Sequence, residues 1–146
     1  MLVSSINDCS LFEFSKKNIE KHYVVKIING NDIPFNICRI YYLYDVPVTQ
    51  RRGGHAHKKL NQLVVAASGS FDIIISDGKI KRTITLSQPF KGLHIVPGIW
   101  RELENFSTGS VCLVLASHEY DENDYVREYS DYINWKNVSP WRDDDL

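Results

Sequence analysis

The chain has 146 residues, with 17 Lys and Arg against 18 Asp and Glu, a formal net charge of −1, 43% hydrophobic residues and 24% charged ones. A single domain of this size buries roughly 68–70% of the surface its unfolded chain exposes, enough for a core without disulfides or a structural metal. The near-neutral charge removes the electrostatic argument for nucleic acid or an acidic membrane surface, and 12% aromatic residues with no long polar tract argue against disorder.

Residues Met1 to Glu20 lack the basic region and apolar run of a secretory signal, and no segment approaches about 18 consecutive apolar residues. From there on, short runs rich in Ile, Val, Tyr and Phe alternate with Gly, Asp, Asn and Pro about every ten residues, the cadence of an all-β sandwich or barrel. The pattern predicts strands over Tyr23–Ile28, Ile37–Tyr44, Gly54–His57, Gln62–Ala67, Phe71–Ser76, Ile80–Leu86, Leu93–Val96, Arg101–Phe106 and Val111–Ser117. Tyr23–Ile28 is a candidate for pairing across subunits, since edge strands seek partners. Asp77-Gly78 supplies the positive φ angles of a type I′ hairpin, and Ser68-Gly69-Ser70 makes a second reversal, so Gln62 to Leu86 is expected to form a three-stranded meander. The acidic and amide run Asp121 to Asp124, ahead of Tyr125, Val126, Tyr129, Tyr132 and Ile133, predicts one short C-terminal helix over about Asp124–Asn134. Residues 1–146 thus form one domain with a core over about 20–135, and 136–146, with Pro140 and three consecutive aspartates, are expected to be loosely held. Cys9, Cys38 and Cys112 are odd in number and form no CxxC pair, which suits a reducing cytoplasm.

The chemistry concentrates in Arg52-Gly53-Gly54-His55-Ala56-His57-Lys58-Lys59-Leu60-Asn61-Gln62. In an extended segment His55 and His57 point to one face and Ala56 to the other. With Gly69, the spacing resembles the first cupin motif, HxH-x4-E-x6-G, whose two histidines and glutamate hold a metal. Gln62 stands where the carboxylate would be. The second cupin motif, PxGxxHxxxN, resembles Pro97-Gly98-Ile99-Trp100-Arg101 with Asn105, and Arg101 falls at or beside its histidine. A fixed guanidinium repels a divalent ion and cannot deprotonate to bind one, although His94 is a substitute ligand if the register shifts. Without a metal, His55 and His57 become an acid/base pair that titrates near neutral pH. By parity Arg39 and Tyr41 share a face, alternating with Ile40 and Tyr42. Tyr41 then becomes a candidate phenolic proton donor, and Arg39, Arg52 and Arg101 bring three cations to one pocket, which suggests an anionic ligand.

Arg39-Ile40-Tyr41-Tyr42, the Arg52 to Lys59 string, the Pro97 to Arg101 turn and the run from Ser117 to Tyr129 resemble the dTDP-4-oxo-6-deoxyglucose 3,4-oxoisomerases, small cupins of nucleotide-sugar biosynthesis. The resemblance runs from about Ile33 to Trp135. It implies a cytoplasmic, homodimeric jelly roll that uses neither metal nor organic cofactor. Its ligand would be a dTDP-linked keto-deoxysugar, with no nucleic acid and no membrane as partner. The implied reaction removes a proton from C3, passes through an enediolate and reprotonates C4. His55 would be the base, with His57 and Tyr41 moving protons; Arg39, Arg52, Gln62 and Arg101 would contact substrate, as would Lys21, which stands where family members often carry Arg. The second-motif Trp-His-Glu expected of the family reads Trp100-Arg101-Glu102 here. The competing readings are a dTDP-sugar 3,5-epimerase, a non-catalytic nucleotide-sugar-binding cupin and a metal-dependent cupin oxygenase.

Overall fold

The structure, a computed structural model, describes residues 4–138. The strands are β1 (Ser10–Glu13), β2 (Lys16–Ile19), β3 (His22–Val25), β4 (Arg39–Tyr44), β5 (Arg52–His57), β6 (Gln62–Ser68), β7 (Phe71–Ser76), β8 (Lys81–Leu86), β9 (Lys91–Ile95), β10 (Trp100–Glu104), β11 (Val111–Ala116) and β12 (Tyr125–Val126), followed by helix α1 (Tyr129–Val138). One sheet runs β1-β9-β6-β11-β4, the other β12-β5-β10-β7-β8, and β2 and β3 form a separate hairpin. This is the all-β, cupin-type jelly roll with one short C-terminal helix that the sequence suggests. No helix among the described residues is long and apolar enough to cross a membrane.

Strand composition follows from what each face meets. β6 is buried on both sides: Val64 and Ala66 enter the core between the sheets with Ile73, Ile75, Leu103 and Val114, while Leu63 and Val65 join an outer cluster with Phe14, Ile33 and Leu115. Double-sided burial explains its unbroken apolar run. β4, an edge strand, alternates instead. Arg39, Tyr41 and Leu43 are half-buried, and Ile40, Tyr42 and Tyr44 are exposed. A third cluster, Ala56, Trp100, Val126 and Tyr132, seats α1 against the second sheet.

Several expectations need correction. The core begins before residue 20, since Ile6, Cys9 and Phe14 are buried, and β1 and β2 were not foreseen because each carries few apolar residues. Tyr23–Ile28 contributes only to His22–Val25, paired with β2. Gln62 to Leu86 is not a meander: β6 lies between β9 and β11, and the chain crosses at Gly69 to the other sheet, where β7 and β8 pair. The β7–β8 loop has four residues rather than two. Only Gly78 has positive φ, because the Asp77 carboxylate accepts from the Lys79 and Ile80 amides and shapes the turn itself. The helix starts at Tyr129, since Asp121 caps a 3-10 turn over Glu122–Asp124 and Tyr125–Val126 pairs with β5. Lys136 is not loose: its buried ammonium donates to the Ser4 carbonyl and hydroxyl at 2.7 and 2.8 Å and to the Gly98 carbonyl at 2.8 Å. Residues 139–146 of the expected tail lie outside the described residues.

Candidate active site

The Gly-Gly pair of β5 has a specific task. Arg101 of β10 lies opposite His55, but Leu103, two residues on, lies opposite Arg52, three residues back, so β5 carries one extra residue. Gly53 absorbs it at φ +72°, a left-handed conformation that suits glycine in a bulge. Without the bulge, Arg52 and His55 would point to opposite faces. With it, both line one cavity of about 400 Å³. The close approach matters too, since a Cβ at Gly53 would sit 3.4 Å from Arg101 Nη2.

The same cavity collects Arg39 and Tyr41 from β4, Arg101 from β10, and Tyr120, Tyr125 and Arg127 from the segment after β11. Five of the eight expected site residues, Arg39, Tyr41, Arg52, His55 and Arg101, therefore line one cavity. His57 stands behind His55, with their Nε2 atoms 3.0 Å apart and ring planes at 89°. Gln62 is 1% exposed and does not line the cavity; its amide donates to Tyr41 Oη at 3.1 Å. Lys21 is exposed in the turn between β2 and β3 and does not line the cavity. His94 bonds Asn61 Oδ1 at 3.0 Å and packs near Phe12 and Phe35, a structural role.

Two hydrogen-bond directions follow from donor chemistry. Gln62 Nε2 and, at 3.4 Å, Arg101 Nη2 both donate to Tyr41 Oη, which leaves the phenolic proton to point elsewhere. On the other side, Asp124 Oδ2 lies 3.1 Å from His57 Nδ1. Its carboxylate is itself fixed by the Lys59 amide at 2.7 Å and the Leu60 amide at 3.3 Å.

Electrostatics keep the histidines neutral. Burial pushes His55 down to about 2, with Arg101 and then His57 adding to it. Burial likewise pushes His57 down to about 3, with Arg101, Arg39 and Arg127 next. Arg101 is 3% exposed and its Nε and Nη1 have no partner among the described residues, nor has Arg39 Nε. Buried guanidinium hydrogens left open beside a cavity call for an anionic or carbonyl oxygen.

The donor set does not fit a divalent ion. The two imidazole Nε2 atoms face each other, Gln62 turns its amide nitrogen to Tyr41 and offers only a neutral oxygen, and the Arg101 cation stands opposite His55. Among the described residues no group of three or more His, Cys, Asp or Glu is placed to hold a metal.

Asp124, Tyr120, Tyr125 and Arg127 were missed as site residues. Tyr125 lies 4.9 Å from the His55 ring and 4.3 Å from the His57 ring, and Arg127 stacks on Tyr125 at 4.1 Å while pairing with Glu122. All four fall in the Ser117 to Tyr129 string, where the acidic run was read as the start of a helix.

A family model described as WxcM-like, C-terminal (FdtA) matches residues 7–137. The chain belongs to that family. A relative from Aneurinibacillus thermoaerophilus, a TDP-4-oxo-6-deoxy-alpha-D-glucose-3,4-oxoisomerase, is 42% identical over 122 residues, covering 84% of this chain and 88% of the relative. A 3,4-ketoisomerase from Helicobacter canadensis superposes with a TM-score of 0.87 at 41% identity, over 89% of this chain and 98% of its own. A His-to-Asn variant of the 3,4-ketoisomerase from Thermoanaerobacterium thermosaccharolyticum, solved in complex with TDP-4-keto-6-deoxyglucose, gives 0.86 at 38% identity, over 88% and 94%.

Proposed function

We propose that the chain is a nucleotide-sugar 3,4-ketoisomerase that converts dTDP-4-keto-6-deoxyglucose to a dTDP-3-keto-6-deoxyhexose. The observation that carries this reading is a neutral His55, backed by His57, in a cavity shared with the Tyr41 hydroxyl and the guanidinium groups of Arg39, Arg52 and Arg101. The relatives named above act on, or bind, TDP-linked keto-deoxysugars, and the cations here suit a diphosphate and a developing oxyanion.

His55 removes the proton on C3, next to the C4 carbonyl, and the electron pair moves onto O4. Arg101 meets that oxygen, and Tyr41, whose proton neither Gln62 nor Arg101 occupies, donates to it. The proton held by the histidines then returns to C4 as O3 releases its own, which restores Tyr41 and leaves the carbonyl at C3. A positioned base contributes about 10²–10⁴-fold; the rest falls to enediolate stabilisation. Arg39 and Arg52 hold the diphosphate or sugar oxygens, and Gln62 acts by orienting Tyr41.

The same reading includes a homodimer in a reducing cytoplasm. Ile40, Tyr42 and Tyr44, each about 60% exposed on edge strand β4, support the first, and three free cysteines support the second. Light scattering at working concentration gives twice the chain mass if the dimer exists.

The deciding experiment follows dTDP-4-keto-6-deoxyglucose in deuterated water by proton NMR. A 3-keto product is expected, with deuterium at C4 to the extent that the proton held by the histidines exchanges with solvent before delivery and the original hydrogen there otherwise. Deuterium at C3 and C5 with the carbonyl unmoved would mean a 3,5-epimerase, and unchanged substrate without exchange would mean a binding module.

A further inference from the structure

We infer that Asp124 is a positioning residue that sets the tautomers of both histidines, making His55 Nδ1 the nitrogen that accepts the substrate proton. The inference rests on the ketoisomerase reading for its catalytic consequence, but the tautomers are a property of the free protein.

The argument is one of donors and acceptors. A carboxylate only accepts, so the contact from Asp124 Oδ2 to His57 Nδ1 at 3.1 Å places the His57 hydrogen on Nδ1 and a lone pair on Nε2. His55 Nε2, 3.0 Å away, must then donate. Its hydrogen sits on Nε2 and its lone pair on Nδ1, which makes no hydrogen bond among the described residues. The anchor is rigid: Asp124 closes a capped 3-10 turn, its carboxylate accepts from two backbone amides, and its carbonyl accepts from the Lys58 amide at 2.9 Å.

The order of bonds also gives the abstracted proton somewhere to go. When Nδ1 of His55 takes a proton from carbon, the hydrogen on its Nε2 passes to His57 Nε2. The positive charge then rests on His57 against Asp124 rather than on His55, directly opposite Arg101 in the strand ladder. Reversing the shift returns the proton for delivery. No other co-reactant is needed.

Replacing Asp124 by Asn inverts the chain. The Lys59 amide, at 2.7 Å the shorter of the two backbone bonds, keeps the side-chain oxygen, the Leu60 amide at 3.3 Å gives up its acceptor, and the new NH₂ group faces His57 Nδ1. His57 must then carry its hydrogen on Nε2, and His55 on Nδ1, which blocks the base.

The test is nitrogen-15 NMR of histidine-labelled protein at pH 7, with kinetics of Asp124→Asn. The wild-type chain is expected to show His57 as the Nδ1–H and His55 as the Nε2–H tautomer. The variant should exchange both assignments, lower kcat by about 10²- to 10⁴-fold, and keep dTDP affinity within about twofold, since Asp124 does not line the cavity. The opposite tautomers in the wild-type protein, or a variant with undiminished kcat, would overturn the inference. If the variant does not fold, the wild-type spectrum alone decides. If the wild-type enzyme moves no carbonyl, the ketoisomerase reading fails while the spectrum still judges the tautomers.

Discussion

Arg101 stands opposite His55 across the β5–β10 ladder, so a guanidinium with two unpartnered nitrogens is buried against the ring proposed to accept a proton. Such a group costs stability in the free protein, by about 1–3 kcal/mol for unsatisfied buried polar atoms and more where charge is involved. Arg101→Met should therefore raise stability by about 1–3 kcal/mol in urea melts, while lowering turnover. It should also shift His55 upward, toward ordinary histidine values, because the largest charge acting on that ring is gone. A less stable variant would mean that the cation is satisfied in the free protein.

The two histidines make stability depend on pH with a definite sign. Their folded values, about 2 and about 3, lie below the ordinary 6.5, so below pH 6.5 the unfolded chain binds protons that the folded chain refuses. Stability is full above that point and falls as pH drops, by up to about 1.4 kcal/mol per pH unit for each ring. Urea melts at pH 7, 6 and 5 should show the fall, to which His94, also pushed down by burial, adds, and His55→Asn should show a shallower one. A flat profile would mean that one or both rings charge in the folded state.

The strand cadence, the alternation in β4 and the HxH face were legible because each depends only on residue type at a period of two. The missed pieces depend on partners far along the chain. Ser10–Glu13 has a weak pattern of its own and is a strand because β9 offers it a ladder. Gln62 looks like a ligand beside Leu63 but is turned to Tyr41, 21 residues earlier. Asp124 reads as a helix N-terminus until the loop after His57 folds back to meet it. Arg52 is the reverse case: simple parity puts it on the wrong face, and the extra residue at Gly53 restores it.

Tyr41 can be tested apart from the histidines. Tyr41→Phe removes the one hydroxyl that receives both Gln62 Nε2 and Arg101 Nη2, and with it the proton aimed at O4. Turnover should fall by about 10²- to 10⁴-fold, with a smaller change in KM, because the diphosphate cations are untouched. Stopped single-turnover assays separate the two effects. A variant that loses affinity but keeps kcat would make Tyr41 a binding residue only.

Lys136 ties both ends of the described chain to the turn that carries the second sheet into the site. Its ammonium serves the Ser4 carbonyl and hydroxyl and the Gly98 carbonyl, and the Gly98 amide donates to the His57 carbonyl at 2.7 Å. Two effects oppose each other on replacement by Met. Removing a buried ammonium relieves its desolvation, which already lowers the Lys136 pKa. Against that, the half-buried Ser4 carbonyl and hydroxyl lose a charged donor, and the Gly98 carbonyl keeps only the Tyr132 hydroxyl at 2.8 Å, a loss of about 1–3 kcal/mol. Three short bonds of 2.7 to 2.8 Å favour the second effect. Lys136→Met should thus destabilise the protein by about 1–3 kcal/mol in urea melts, whereas a gain would mean that the ammonium costs more to bury than its three bonds return.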